Sequence, residues 1–163
     1  MELGGALSFT RKRFTGLQQK RTSKLQGKWR RLKNSQAPLR QKLAAVPMVF
    51  WSAALHGITG SCMGENHLDK LRSQALKALR LSHAGVNGLL RLTLSSTPTA
   101  DPSWWRLQHT VSSFARLLRK EPRLLNGWKS FMWNFDGFLF SGPFSQLLVV
   151  LGQIGWRVEP PYL

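Results

Sequence analysis

Four cations, Lys20, Lys24, Lys28 and Arg31, recur at steps of four, four and three, the spacing that stacks side chains along one face of a helix. A second set, Lys70, Lys77 and Arg80, follows at steps of seven and three and shares a face in the same way. Rows of lysine and arginine neutralise phosphates, and the counterions they release drive binding without any base being read. Between Arg11 and Lys42 stand 12 of the 24 Lys and Arg residues, with no acid among them.

Other chemistries lack their residues. Two-metal catalysis needs clustered carboxylates, because each divalent ion takes several oxygen ligands. Asp69, Asp101 and Asp136 are the only aspartates and fall in separate stretches. The chain has no Gly-rich phosphate loop followed by Lys-Ser or Lys-Thr, and no Gly-x-Ser-x-Gly elbow. Cys62 is alone, which excludes an internal disulfide or a Cys-rich zinc knuckle. His56, His67, His83 and His109 never pair at helical spacing. No catalytic residue, cofactor or metal is expected, and the chain reads as a binding protein rather than an enzyme.

The elements that must hold the cations read as helices. Leu25, Trp29 and Leu32 give the first one a narrow apolar side, from about Ser8 or Thr15 to Lys33, weakened at Gly16 and Gly27. A second helix begins at Pro38 and carries Leu39, Leu43 and Val46 before Pro47 kinks or restarts it. Its uncharged continuation to Leu55 reads as the central core helix. Asn66 with Asp69 predicts a capped helix from His67 to about Leu81, buried along Leu68, Leu71, Ala75 and Leu79. Gly88 to Leu94 fits helix or strand.

Asp101-Pro102 is a strong helix start, with Leu107, Val111, Phe114 and Leu118 on the inner side and an end near Lys120. Leu124 to Phe140 reads as an aromatic-rich loop packed by its own side chains. A last helix runs from Phe144 to about Gln153, closed by Gly152 or Gly155. The fold class expected is mainly α: a small bundle of about five helices, with a basic N-terminal helix and an irregular aromatic-rich C-terminal part. Its boundaries are a disordered lead over 1–10, a basic helical extension over 11–36, a helical domain over 37–123, and the aromatic loop, last helix and tail over 124–163.

The net charge of +17, with 42% hydrophobic residues, points to a folded chain with a polyanionic partner; the bland alternative is charge that merely keeps an apolar chain soluble. Trp29 beside the stripe, and Arg106 after Trp104-Trp105, match the pairing of cations with stacking rings in single-strand binders. Tryptophans at helical spacing also suit a core or its rim.

The stretch from Leu43 to Leu55 falls short of the roughly 20 apolar residues of a membrane span, and 131–156 is broken by Asn134, Asp136 and Gly142-Pro143. A membrane partner is therefore not expected. The lone cysteine and basic clusters fit an intracellular, nuclear setting, and the N-terminus, with Ser8 and Thr10 running into Arg11-Lys12-Arg13 and one acid, Glu2, also has the content of a mitochondrial leader.

The succession Trp51-Ser52-Ala53-Ala54-Leu55-His56-Gly57, then Leu68-Asp69-Lys70-Leu71-Arg72, resembles the segment after the polymerase palm in LINE-type (non-LTR) retrotransposon reverse transcriptases. There an apolar helix ends in a Leu-Tyr-Gly-like motif, whose aromatic is replaced here by His56. Asp101-Pro102 with Trp104, and Gly142-Pro143 to Leu147-Leu148, Leu151-Gly152 and Gly155-Trp156, are similar to the C-terminal region of such proteins. The likeness covers about residues 25 to 157.

The resemblance implies a thumb and connection region that grips a template-primer duplex, with 37–123 as the thumb-like domain. The paired aspartates of the palm and the endonuclease are absent from the chain, so it implies a non-catalytic fragment or decayed remnant. The missing palm portion would be one partner; RNA or an RNA/DNA duplex, held by its phosphates, would be the other. Lys20, Lys24, Lys28 and Arg31 would then lie between palm and thumb, and Lys70, Arg72, Lys77 and Arg80 along the thumb helix. Two alternatives remain beside it: a free-standing basic interaction or ribonucleoprotein component, and a membrane-associated protein attached through Leu124 to Trp156.

Overall fold

The structure, a computed structural model, describes residues 16–58, 64–82, 85, 87–95, 98–133 and 143–156. The expected lead over 1–10, the Arg11-Lys12-Arg13 cluster, Cys62, His83, 134–140 and the tail over 157–163 lie outside the described residues. Among the described residues the regular structure is helical, with no strand.

In chain order the helices are α1 (Gly16–Lys24), α2 (Gln26–Asn34), α3 (Leu39–Ala45), a π-helical turn (Val46–Trp51), α4 (Ser52–Ala54), α5 (Glu65–Ala78) and α6 (Gly88–Ser95). A 3-10 turn (Pro98–Ala100) precedes α7 (Pro102–Lys120), α8 (Leu124–Trp133) and α9 (Pro143–Gln153). These segments are shorter and more numerous than the five helices expected from the sequence. The described residues fall into two compact units, one within 15–56 and 63–106, the other within 57–62 and 107–163.

In the first unit the basic lead helix breaks at Leu25 rather than at Gly27. Leu25 stays in helical conformation (φ −83°, ψ −10°), but its N–H bonds back to the Thr22 carbonyl at 3.1 Å, one residue short of the α pattern. Pro47 lacks an N–H and crowds the carbonyl four residues back. The chain answers with the wider π turn, in which the Ser52 N–H reaches the Pro47 carbonyl. That turn points Val46, Phe50 and Trp51 inward together.

Leu25, Trp29, Leu43, Leu55, Leu68, Leu71, Ala75 and Leu92 complete the core, and a fully buried leucine contributes roughly 1.5–3 kcal/mol. Leu39, expected on the same inner face as Leu43, is instead 44% exposed. The Trp51 indole donates to the Ala100 carbonyl at 3.1 Å and ties the π turn to the 3-10 turn.

Helix α5 starts earlier than the sequence suggests, at Glu65, with Gly64 rather than Asn66 at the cap position. Its far end is a Schellman motif: the Leu81 N–H bonds the Leu76 carbonyl at 2.8 Å, and the Arg80 N–H that of Lys77 at 3.3 Å. The left-handed position falls on Arg80 (φ 58°), where glycine is usual. Gly88 to Ser95 resolves as helix, capped by Asn87, whose side-chain oxygen accepts from the Leu89 N–H at 2.9 Å.

In the second unit, Leu124–Trp133 is helical and not the loop that Asn126-Gly127 suggested. Phe114 of α7 and Trp128 of α8 meet edge to face at 5.2 Å, so the tryptophan packs across the turn at Pro122. Helix α9 buries Leu147 and Val150. It closes in the same motif as α5, here with Gly155 (φ 79°) in the left-handed place.

Candidate nucleic-acid interface

The anchoring side of α2 determines which residues α1 and α2 present to solvent. Trp29 stacks on Phe50 with ring centroids 3.7 Å apart and tilts against Trp51 at 5.7 Å. With Leu25 and Trp29 buried, Lys20, Lys24, Lys28 and Arg31 are all exposed, the first pair on α1 and the second on α2. Arg30, Lys33 and Arg40 are exposed beside them. The sequence pattern passed over these three because it followed one stripe; their signal was the charge run itself.

Helix α1 is tied down by Arg21, whose guanidinium donates to the His56 carbonyl, and by Thr22, whose hydroxyl lies 3.0 Å from Nε2 of His67. Burial lowers the pKa of His67, and the neighbouring Lys70 lowers it further. The imidazole is thereby held neutral at the α1–α5 contact.

On α5, whose inner side packs against α2 and α6, Lys70 and Lys77 are exposed, as is Arg80 at its end. These three belong to the same compact unit as the stripe. Among the described residues, no ion pair involves any of the seven.

Arg72 is placed differently from the others. Its guanidinium bonds Asp101 (Nε to Oδ2, 2.5 Å), the Ser103 hydroxyl (2.9 Å) and Asp69. Burial works against its charge, but the hydrogen bond and charge of Asp101, with those of Asp69, outweigh burial and raise its pKa. Its donors are engaged by Asp101, Ser103 and Asp69, which sets it apart from the unpaired cations of the phosphate-facing set.

Arg106 is likewise buried and paired with Glu65 at 3.3 Å, so it cannot join Trp104 and Trp105 in a stacking site. Trp29, the other stacking candidate, is in the core. The sequence missed Asp101 as the centre of a polar cluster: its side chain caps α7 through the Ser103 N–H at 2.8 Å while holding Arg72.

A cleft of about 290 Å³ opens between α5 and α6, lined in part by Asp69, Arg72, Leu76, Gly88 and Arg91. Its two guanidiniums bond inward, Arg72 to Asp101 and Arg91 to the Leu81 carbonyl at 2.8 Å. A Cβ on Gly88 would lie 2.6 Å from Leu76, a measure of how closely the two helices approach.

No group of three or more His, Cys, Asp or Glu among the described residues is placed to hold a metal. Nor is any described helix long and apolar enough to cross a membrane. No family model matches the sequence, and comparison with characterised proteins and with solved structures returns no match either.

Proposed function

We propose that the chain grips a nucleic-acid duplex by its phosphates, as a non-catalytic, thumb-like helical module of the reverse-transcriptase kind. One observation carries the reading. Lys20, Lys24, Lys28, Arg31, Lys70, Lys77 and Arg80 are exposed on α1, on α2 and α5, whose apolar sides are buried, and at the end of α5, and none is engaged by a described carboxylate. Such a surface meets phosphates and reads no bases, so binding is indifferent to sequence. Burial of Trp29 favours a duplex over a single strand, because the stripe offers no ring for a base to stack on.

The test is fluorescence anisotropy of a labelled RNA/DNA hybrid across a salt series. A log–log slope of about 4 to 6 is expected when about five to seven phosphates are neutralised, at roughly 0.9 per contact, with an unrelated hybrid competing equally. Replacing Lys20, Lys24, Lys28 and Arg31 together by alanine should lower the slope by roughly the four contacts removed. Salt-independent binding, or no binding at low salt, would reject the proposal.

A second reading, a basic component of a ribonucleoprotein or organelle assembly, is favoured by one feature of α6. Leu90 and Leu94, one turn apart, are 55% and 80% exposed and could meet a protein partner.

A further inference from the structure

Among the hydroxyls of the basic lead, two neighbours differ in what they touch. Thr22 is half-buried, its hydroxyl 3.0 Å from Nε2 of His67. Ser23 is exposed, and its hydroxyl donates only locally, to the Lys20 carbonyl at 2.8 Å. Lys20 stands three residues before Ser23, Arg21 two before and Lys24 one after. Protein kinases with carboxylates in the peptide groove select a hydroxyl by cations placed N-terminal to it.

Backbone access is favourable too. Ser23 lies in the last turn of α1, directly before the Leu25 interruption, where the α ladder gives way to the 3.1 Å bond from Leu25 N–H to Thr22 O. Presenting that turn as an extended segment breaks the Leu25–Thr22 bond and the Arg21 and Thr22 ties of α1, whereas the Trp29–Phe50 stack lies beyond the opened residues. Ser73 offers the contrast. It also has a lysine three residues before it, Lys70, but it sits mid-helix on α5 between buried Leu71 and Ala75, so its backbone is held by the core.

There is room for the product. Gly27, one turn beyond Ser23, has no side chain, and nothing lies within 4 Å of where its Cβ would be. A phosphate on Ser23 has that open space on one side and the ammonium groups of Lys20 and Lys24 within side-chain reach.

We infer that Ser23 is a phosphorylation site for a basic-directed protein kinase, and that the phosphate cancels the α1 half of the cation stripe, Lys20 and Lys24. The Ser23 hydroxyl oxygen bonds to the γ-phosphorus of ATP and the bond to the β,γ-bridging oxygen breaks. ADP leaves with the electron pair, and the hydroxyl proton passes to a carboxylate of the kinase. The group brings about −1.5 to −2 charges, enough to neutralise Lys20 and Lys24, and it removes the hydroxyl donor from the Lys20 carbonyl. The effect on binding rests on the duplex reading above; the modification does not.

The full chain is incubated with ATP and the catalytic subunit of cyclic-AMP-dependent protein kinase. The modified residue is identified by peptide mass spectrometry, and hybrid binding is measured before and after. The expected result is stoichiometric phosphate on the peptide holding Ser23, lost from that peptide in Ser23→Ala, which binds the hybrid like the parent; Thr15, which also follows a lysine by three residues and an arginine by two, is read separately on its own peptide. The phosphorylated chain should lose about two units of salt slope, which at 0.1 M salt is roughly a 10- to 100-fold weaker affinity.

Unmodified Ser23, with equal incorporation into Ser23→Ala, overturns the site. Phosphate at Ser23 with an unchanged slope overturns the switch. If the unmodified chain does not bind the hybrid, the functional reading fails by itself, and the stoichiometry at Ser23 still decides whether the site is real.

Discussion

Arg72 of α5 and Asp101 at the head of α7 are joined by two hydrogen bonds, Nε to Oδ2 at 2.5 Å and Nη2 to Oδ1 at 3.3 Å, across 29 residues of sequence. Asp101 is fully buried. Removing one partner of such a pair leaves a charge without compensation, so Arg72→Ala should destabilise by about 3 kcal/mol in urea unfolding. Arg72→Lys should recover part of that loss and, once folded, keep the salt slope of the parent, because this guanidinium does not face phosphates. A slope reduced by a full unit in Arg72→Lys would return the residue to the interface.

The two buried tryptophans of the first unit should respond unequally. Trp51 donates to the Ala100 carbonyl at 3.1 Å, whereas the Trp29 indole N–H has no partner among the described residues. Trp51→Phe therefore loses volume and orphans a buried carbonyl, about 2–3 kcal/mol, while Trp29→Phe loses volume alone and keeps a ring against Phe50. Thermal or urea unfolding of the two variants should rank Trp51→Phe lower by at least about 1 kcal/mol; equal losses would contradict the bond to Ala100.

The contrast between these pairs shows what the sequence could and could not disclose. Asp101-Pro102 announced α7 correctly because a cap acts within three residues, and the Leu68, Leu71, Ala75 and Leu79 stripe is written in local period. Arg72 with Asp101 and Arg106 with Glu65 join positions far apart in the chain, and no spacing rule reveals such a partner. For that reason Arg72 read as one more interfacial cation. In α8, Asn126 and Gly127 are weak breakers that the Phe114 to Trp128 contact overrides, so the segment is helical where its local signals favour a loop.

The paired Schellman ends offer a test of backbone strain. Arg80 holds a left-handed conformation that costs a side-chain-bearing residue roughly 1–2 kcal/mol. Glycine relieves that cost but loses more entropy on folding, so Arg80→Gly should stabilise the chain by a net ~0.5–1 kcal/mol. Gly155→Ala, at the same place after α9, should destabilise by about 1 kcal/mol. Denaturant midpoints moving in opposite directions would bear this out, and Arg80→Gly should also lower the salt slope by about one.

Stability should fall on mild acidification, through His67. Its folded pKa lies below its unfolded value, owing first to burial and then to Lys70, and the N-terminal turn of α5 also disfavours a positive ring. Between the two values the unfolded chain binds the extra proton, so stability is full above the unfolded pKa of about 6.5 and declines as pH drops through the folded one. Urea midpoints at pH 7.5 and 5.5 should differ for the parent and much less for His67→Gln, which keeps a hydrogen-bonding group toward Thr22.

The π turn around Pro47 makes chain length itself a constraint. Because Ser52 reaches back five residues to Pro47, the turn holds one residue more than an α-helix would accommodate. Both Phe50 and Trp51 can therefore face the core while Met48, 74% exposed, faces out. Deleting Met48 would restore ordinary helical period and swing everything before it by about 100° relative to Trp51, since each α-helical residue turns that far. Met48 should thus accept almost any side chain yet resist excision, so that mutational scans of this segment ought to be permissive to replacement and intolerant of frame-preserving deletion.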